Sequence, residues 1–355
     1  MPVREPRWWY AENGAWQKHL LAPIARIWGW SAARRLARMK PERAALPVVC
    51  VGNFTAGGTG KTPLSILIAR LLIASGERPV FLTRGYGGRV RGPHRVDPAL
   101  DTAADVGDEP LLLARHAPVI VARDRPAGAR LAASDCGLSP PTVIIMDDGL
   151  QNPALAKDLV IAVVDGVRGL GNGAVIPAGP LRAALPVQFS LADVIVVNAS
   201  PGADAERVLA VATHLRDSFQ GPVIEARVEP DLSDLDLQGS RVLALAGIAN
   251  PARFYVLLEQ LGAEIAARAE FADHHSFTDA DASAILADAK RFDARVITTE
   301  KDLVRLAGAA GARARLREAA IVLPIHLKLD QRDELRLASL VKGALIQRRK
   351  QPIRP

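Results

Sequence analysis

Cysteine is scarce in this 355-residue chain: Cys50 and Cys136 are its two thiols. Both lie in apolar surroundings without CxxC or Cys/His spacing, which argues against a disulfide framework or a zinc site. They fit a reducing compartment. A hydrophobic run long enough to span a bilayer is also missing. The longest, Leu20 to Trp30, is broken by Arg26 and falls far short of the ~20 residues a spanning helix needs. No small-residue cleavage site follows it, so no signal peptide is expected. Internal repeats and low-complexity tracts are absent too. Tryptophan is missing from residue 31 onward, because Trp8, Trp9, Trp16, Trp28 and Trp30 all precede it.

What is present describes a folded chain. Apolar residues make up 49%, and the length exceeds the usual single domain, so two cores are expected. The net charge of +7 is concentrated at one end: residues 1–43 carry nine Lys/Arg against Glu5, Glu12 and Glu42, or +6 of the total. Trp16, Leu20, Ile24 and Ile27 recur there at helical spacing, with Pro23 expected to bend or start a helix. Tryptophan mixed with basic residues suits the headgroup layer of an anionic membrane better than a nucleic-acid backbone. The alternative is a helical hairpin packed on the body with its charges solvated. No nucleic acid and no obligate protein partner are expected.

From residue 46 onward, short apolar runs alternate with helical stretches. Strands are expected at 47–52, 79–83, 118–122, 142–147, 159–165, 193–198 and 222–228, with helices at 61–75, 109–116, 126–135 and 203–218. Continuous apolar runs mark strands covered on both faces, so the fold class is α/β: a mostly parallel P-loop-type sheet with helices on both sides. A second pattern starts near 240 with RVLALAGIANPARFYVLLEQLG, then ARVITTEKDLVRL and the strand IVLPIHLKL. The expected division is a basic helical segment 1–43, a P-loop domain 44–230, a smaller α/β domain 231–345 and a basic tail 346–355.

The phosphate-binding signal is Thr55-Ala56-Gly57-Gly58-Thr59-Gly60-Lys61-Thr62. Glycines let backbone N–H groups close around phosphate oxygens. Lys61 reaches the β/γ-phosphates, Thr62 suits Mg²⁺, and the helix begun at Lys61 adds its positive end. The pattern normally opens with Gly, and Thr55 stands in that place. Asp147 and Asp148 end the run TVIIM, where a metal-binding carboxylate belongs; Asp148 is equally suited to capping the next turn.

Further phrases follow in order: Thr83-Arg84-Gly85-Tyr86-Gly87, Val106-Gly107-Asp108-Glu109-Pro110, Asp147-Asp148-Gly149-Leu150-Gln151, Gly171-Asn172-Gly173, Pro180-Leu181-Arg182, Asp273-His274-His275 and Thr298-Thr299-Glu300-Lys301-Asp302. With the basic, Trp-bearing N-terminus, their order resembles the tetraacyldisaccharide 4′-kinases, the lipid A kinases of Gram-negative bacteria, from about residue 20 to about 330. The resemblance implies ATP- and Mg²⁺-dependent phosphorylation of the 4′-hydroxyl of a tetraacyldisaccharide 1-phosphate lipid at the cytoplasmic face of the inner membrane. It implies Asp108 and His274 as a catalytic pair beside Lys61. Arg84 and Arg182, inside the family's phrases, are candidates for phosphate, and Gln151 and Asn172 for other substrate contacts. Two positions depart from the family's pattern: Asn152, where His is common, and Ala183, where Glu is common. A P-loop GTPase or partitioning-type ATPase is the competing class. Guanine recognition needs an NKxD-like segment, and Thr299-Glu300-Lys301-Asp302 lacks the residue between Lys and Asp.

Overall fold

The computed structural model describes residues 5–11, 16–134, 139–233 and 235–351. Cys136 and the end of the expected tail, 352–355, lie outside the described residues. The strands are β1 Val48–Asn53, β2 Pro79–Thr83, β3 His94–Arg95, β4 Val119–Val121, β5 Val143–Asp147, β6 Leu159–Asp165, β7 Val194–Ala199, β8 Val223–Pro230, β9 Arg241–Ala246, β10 Glu264–Glu270, β11 Arg295–Thr299, β12 Ile321–Leu323 and β13 Ile325–Lys328. They form two sheets, ordered β13-β8-β7-β6-β1-β5-β2-β4-β3 and β10-β9-β11-β12. All pairings are parallel except β3 with β4 and β13 with β8.

The central strand shows why alternation is absent from its sequence. Val49 and Val51 of β1 enter one core while Val48 and Cys50 enter the other, so every position is apolar. Burial pushes the Cys50 thiol up to about 12, which leaves it inert. Helix Lys61–Ala74 buries Leu64, Ile68 and Leu72 on the first face. Helices Arg125–Ser134 and Ala205–Ser218 cover the second with Ala129, Ala132, Ala212 and Leu215. The chain builds β2 and β4 on one side of β1, returns to insert β5, and then crosses to β6. The carboxyl ends of β1, β5 and β6 therefore surround the topological switch point, where open α/β sheets bind ligands.

The C-terminal part differs from the expected smaller domain at 231–345. IVLPIHLKL is two strands, not one: β12 completes the small sheet, Pro324 ends its ladder, and β13 pairs with β8 of the large sheet. Proline offers no N–H to a ladder, so a change of partner falls naturally there. Helix Gln331–Lys350 then buries Leu337, Val341 and Leu345 in the first core, at roughly 2 kcal/mol per side chain. The expected tail is helical through Lys350. Arg348 is buried and donates to the Ala44 carbonyl at 2.8 Å. The four-stranded sheet is thus an insertion between β8 and β13.

At the other end, helix Trp16–Arg38 continues unbroken through Pro23. It meets the body through small residues: Ala25 and Gly29 are buried, and Gly29 faces Val175. Its large residues point away. Trp16, Leu20, Ile24, Ile27, Trp28 and Trp30 are all more than half exposed. Trp9 does the opposite: it is buried, and its indole donates to the Pro177 carbonyl at 3.1 Å. No described helix is long and apolar enough to cross a membrane.

Candidate active site

The phosphate loop lies between β1 and helix Lys61–Ala74, at the switch point. Gly60 holds φ +92°, and a Cβ there would collide with the Asn198 amide. That amide, at the end of β7, donates to the Thr59 carbonyl at 3.0 Å. Asn53 donates to the Thr59 hydroxyl at 3.1 Å. Arg182 donates from Nε to the Thr55 carbonyl at 3.1 Å. Three polar side chains from distant segments therefore hold the loop's shape, with the Ala56 N–H tied to the Pro180 carbonyl at 2.8 Å and the N–H groups of the glycine-rich turn beyond it suited to face a phosphate. Thr55, in place of the usual glycine, is buried, and its backbone bridges to Leu181.

Two carboxylates stand beside the loop with different surroundings. Asp147 is buried, accepts from Ser65 at 2.8 Å, and is pushed up to about 6 by burial and by the charge of Asp148. Asp148 has φ +50° and turns outward between Lys61 at 3.8 Å and Arg182 at 3.0 Å. Burial raises its pKa, but Lys61 and Arg182 outweigh that and hold it below the ordinary range. Burial pulls Lys61 below the usual lysine value, against the opposing charge of Asp148. Two adjacent oxygen donors, one of them buried and short of countercharge, are the donor set a hard dication favours. With Thr62 opening the helix, these residues fit magnesium.

A second charged cluster crosses from the large sheet to the small one. Asp108 opens helix Asp108–Leu113 and is 6% exposed. Gly107 before it has φ +94°, and a Cβ would strike the Tyr86 carbonyl; only glycine lets the two loops pack so closely. Asp108 Oδ2 accepts from His274 Nδ1 at 2.9 Å and from Arg305 Nε at 2.6 Å. Burial raises Asp108, yet the hydrogen bond from His274 and the charge of Arg305 bring it below the usual value. His274 sits at φ +60°, a left-handed conformation that a non-glycine residue seldom adopts. The Tyr86 ring lies 5.5 Å from its imidazole. Next to this pair, Lys301 binds Glu109 at 2.8 Å.

Asp108, Glu109 and His274 form the trio of ligand atoms that comes close enough to share an ion among the described residues. Arg305 and Lys301 already neutralise its carboxylates, so the trio has no deficit of positive charge for a metal to fill. Asp147 has that deficit.

The remaining sequence candidates divide. Arg182 joins the loop to Asp148, and Arg84 is exposed just beyond β2, on the same edge. Gln151 is turned inward, donating to the Asn53 carbonyl and to Gln188, both at 2.8 Å. Asn172 donates to the Ala178 carbonyl and accepts from the Ala174 N–H; both amides thus have their hydrogen bonds inside the protein. Asn152 accepts from Ala154 N as a turn former, and Ala183 is fully buried. His275 pairs with Asp281, in the first turn of the following helix, at 3.0 Å.

Several residues at the site carried no sequence signal. Glu5 binds Arg168 and Tyr10, both at 2.9 Å, and its carboxylate lies against Gly57 of the phosphate loop. Arg253 reaches Asp165 at the end of β6 at 2.5 Å. Arg305 is the third, and only its place just after a recognisable phrase marks it.

Comparison with known proteins places the chain in a well-populated group. The family model described as "Tetraacyldisaccharide-1-P 4'-kinase" matches residues 17–342. A protein of Bradyrhizobium sp. (strain ORS 278) named tetraacyldisaccharide 4′-kinase is 45% identical over 344 residues, covering 97% of this chain and 98% of that one. One of the same name from Methylobacterium nodulans is 47% identical over 345 residues, covering 97% and 96%. Among solved structures, the "apo" form of LpxK from Aquifex aeolicus in complex with ATP superposes with a TM-score of 0.69 at 24% identity, over 92% of this chain and 99% of that one.

Proposed function

The chain belongs to the tetraacyldisaccharide-1-P 4′-kinase family, and from that premise we propose how its residues share the reaction. The protein is an ATP-dependent kinase that phosphorylates the 4′-hydroxyl of a tetraacylated glucosamine disaccharide 1-phosphate, a late step of lipid A biosynthesis. Thr55 to Thr62 form the donor half, with loop N–H groups and Lys61 cradling the triphosphate. Thr62, Asp147 and Asp148 are the groups that would hold magnesium, which supplies positive charge against the phosphate oxygens when bound. Arg84 and Arg182 lie at the rim where a bidentate donor meets phosphate. Gln151 and Asn172 support the site through the backbone instead of meeting substrate.

The acceptor half is the Asp108–His274 pair, and one observation carries this assignment. Side chains 166 residues apart, one from a helix beside the large sheet and one from a loop of the small sheet, meet at 2.9 Å, and the adjacent Glu109 is near enough for its charge to act on Lys61 of the phosphate loop. With Nδ1–H donated to Asp108, His274 Nε2 is left as the base, 3.6 Å from Asp273 Oδ2. It takes the proton of the sugar hydroxyl as the new O–P bond forms and the bond to the leaving ADP oxygen breaks. Asp108 fixes the tautomer and stabilises the imidazolium. The expected result with purified protein, γ-³²P-ATP and disaccharide 1-phosphate lipid in detergent micelles is labelled lipid. Folded, ATP-binding protein that labels none would overturn the reading.

The N-terminal helix supports docking on an anionic membrane, at the cytoplasmic face of the inner membrane. Its aromatic and aliphatic residues face outward while Ala25 and Gly29 hold the body. Replacing Ile27, Trp28 and Trp30 together by Ser is expected to weaken cosedimentation with anionic liposomes by about tenfold or more. Melting temperature and micellar ATP turnover are expected to stay near wild type. Equal sedimentation of variant and wild type would favour a purely intramolecular role for the helix.

A further inference from the structure

The phrase Thr298–Asp302 has no part in the chemistry described so far, yet it builds a rigid socket at the domain junction. Thr299 caps helix Glu300–Arg305: its hydroxyl accepts from Asp302 N at 3.1 Å and donates to Asp302 Oδ2 at 2.7 Å. Asp302 is fully buried and also accepts from Gly247 N at 3.1 Å. Arg305, one turn later, is held by that carboxylate at 2.7 Å and by the Gly247 carbonyl. Its side chain is 3% exposed. Those contacts, all within the small sheet and its loops, engage only Nη1 of the arginine. Its Nε instead leaves that sheet and donates to Asp108 of the large one.

We infer that Arg305 is a positioning residue for the proton transfer, holding the Asp108 carboxylate ionised and turned toward His274. The geometry is specific: His274 Nδ1 and Arg305 Nε share the same oxygen, Asp108 Oδ2. Asp108 cannot rotate away from the histidine without also breaking a charge-assisted bond in a nearly dry site. Lys301 on the same short helix ties the adjacent Glu109, so one helix fixes two successive carboxylates across the junction. Arg305 touches neither substrate nor nucleotide in this scheme; it acts through Asp108. The inference therefore rests on the Asp108–His274 reading.

Arg305→Ala would strand Asp302 as a buried, unpaired carboxylate, so Arg305→Lys is the better probe. Lysine keeps a cation beside Asp302 and the Gly247 carbonyl but has no second arm for Asp108. Full-length protein is assayed with the disaccharide lipid in micelles, alone and combined with Asp108→Asn, and folding is checked by the ATP-induced rise in melting temperature. Arg305→Lys is expected to lower kcat by about 10- to 100-fold with KM for ATP within about twofold. In the Asp108→Asn background it is expected to add less than about a threefold loss, because the charge it positions is gone. Wild-type kcat for Arg305→Lys, or losses that multiply in the double variant, would overturn the role. An Asp108→Asn enzyme with wild-type kcat would sink the catalytic pair itself, and the part played by Arg305 with it.

Discussion

Asp108→Asn and His274→Ala are each expected to lower kcat by about 10²- to 10⁴-fold, the range a positioned general base contributes. The nucleotide site should survive both changes, because the phosphate loop takes its shape from Asn53, Asn198 and Arg182, not from this pair. ATP affinity by calorimetry is therefore expected to stay within about threefold of wild type. Asparagine is close in size to aspartate and leaves Arg305 paired with Asp302, so Asp108→Asn isolates the lost charge. The two losses should not multiply in the double variant, since the residues act as one unit. A fall in ATP affinity matching the fall in rate would assign them to nucleotide binding.

Lys61→Ala is expected to have the second large effect, a drop of about 10³-fold in kcat/KM for ATP. Its effect on stability runs the other way. In the nucleotide-free protein, burial disfavours the charged amine, and Asp148 at 3.8 Å offsets this only in part. Asp148 keeps Arg182 at 3.0 Å when the lysine is removed. The variant should then melt no lower than wild type without ligand, while the ATP-induced rise in melting temperature disappears. A variant that melts well below wild type would make Lys61 part of the fold's support instead of a group reserved for phosphate.

The legible parts of this protein are those written in contiguous residues. The run Val48 to Leu72 specifies strand, loop and helix by itself, because apolar spacing, glycines and Lys61-Thr62 all lie within one supersecondary unit. The expected strands from 47–52 to 222–228 match β1, β2 and β4 to β8 closely; for β1, β2 and β4 to β7 the reason is the same, since a strand buried on both faces is apolar nearly throughout, whereas only the first half of β8 is buried in that way. IVLPIHLKL was less transparent, since both halves are apolar and only the neighbouring strands distinguish β12 from β13. Composition also failed to separate Trp9, packed under Pro177, from Trp16, Trp28 and Trp30, which face outward. Gln151 and Asn172 have side chains suited to a ligand, but tertiary partners claim their hydrogen bonds.

The division between donor and acceptor follows the same line. The proposed triphosphate cradle, residues 55–62, is legible because its glycines, lysine and threonine lie along one continuous loop. The base is different: the order of phrases named Asp108 and His274, but their pairing exists only when an inserted sheet brings residue 274 to residue 108. Arg305 lies 197 residues from the carboxylate it holds, and no local pattern encodes a contact at that separation. Sequence alone determined the nucleotide chemistry. The tertiary structure decided which charges face one another, because burial and hydrogen-bond partners are set by segments that meet only in the folded chain.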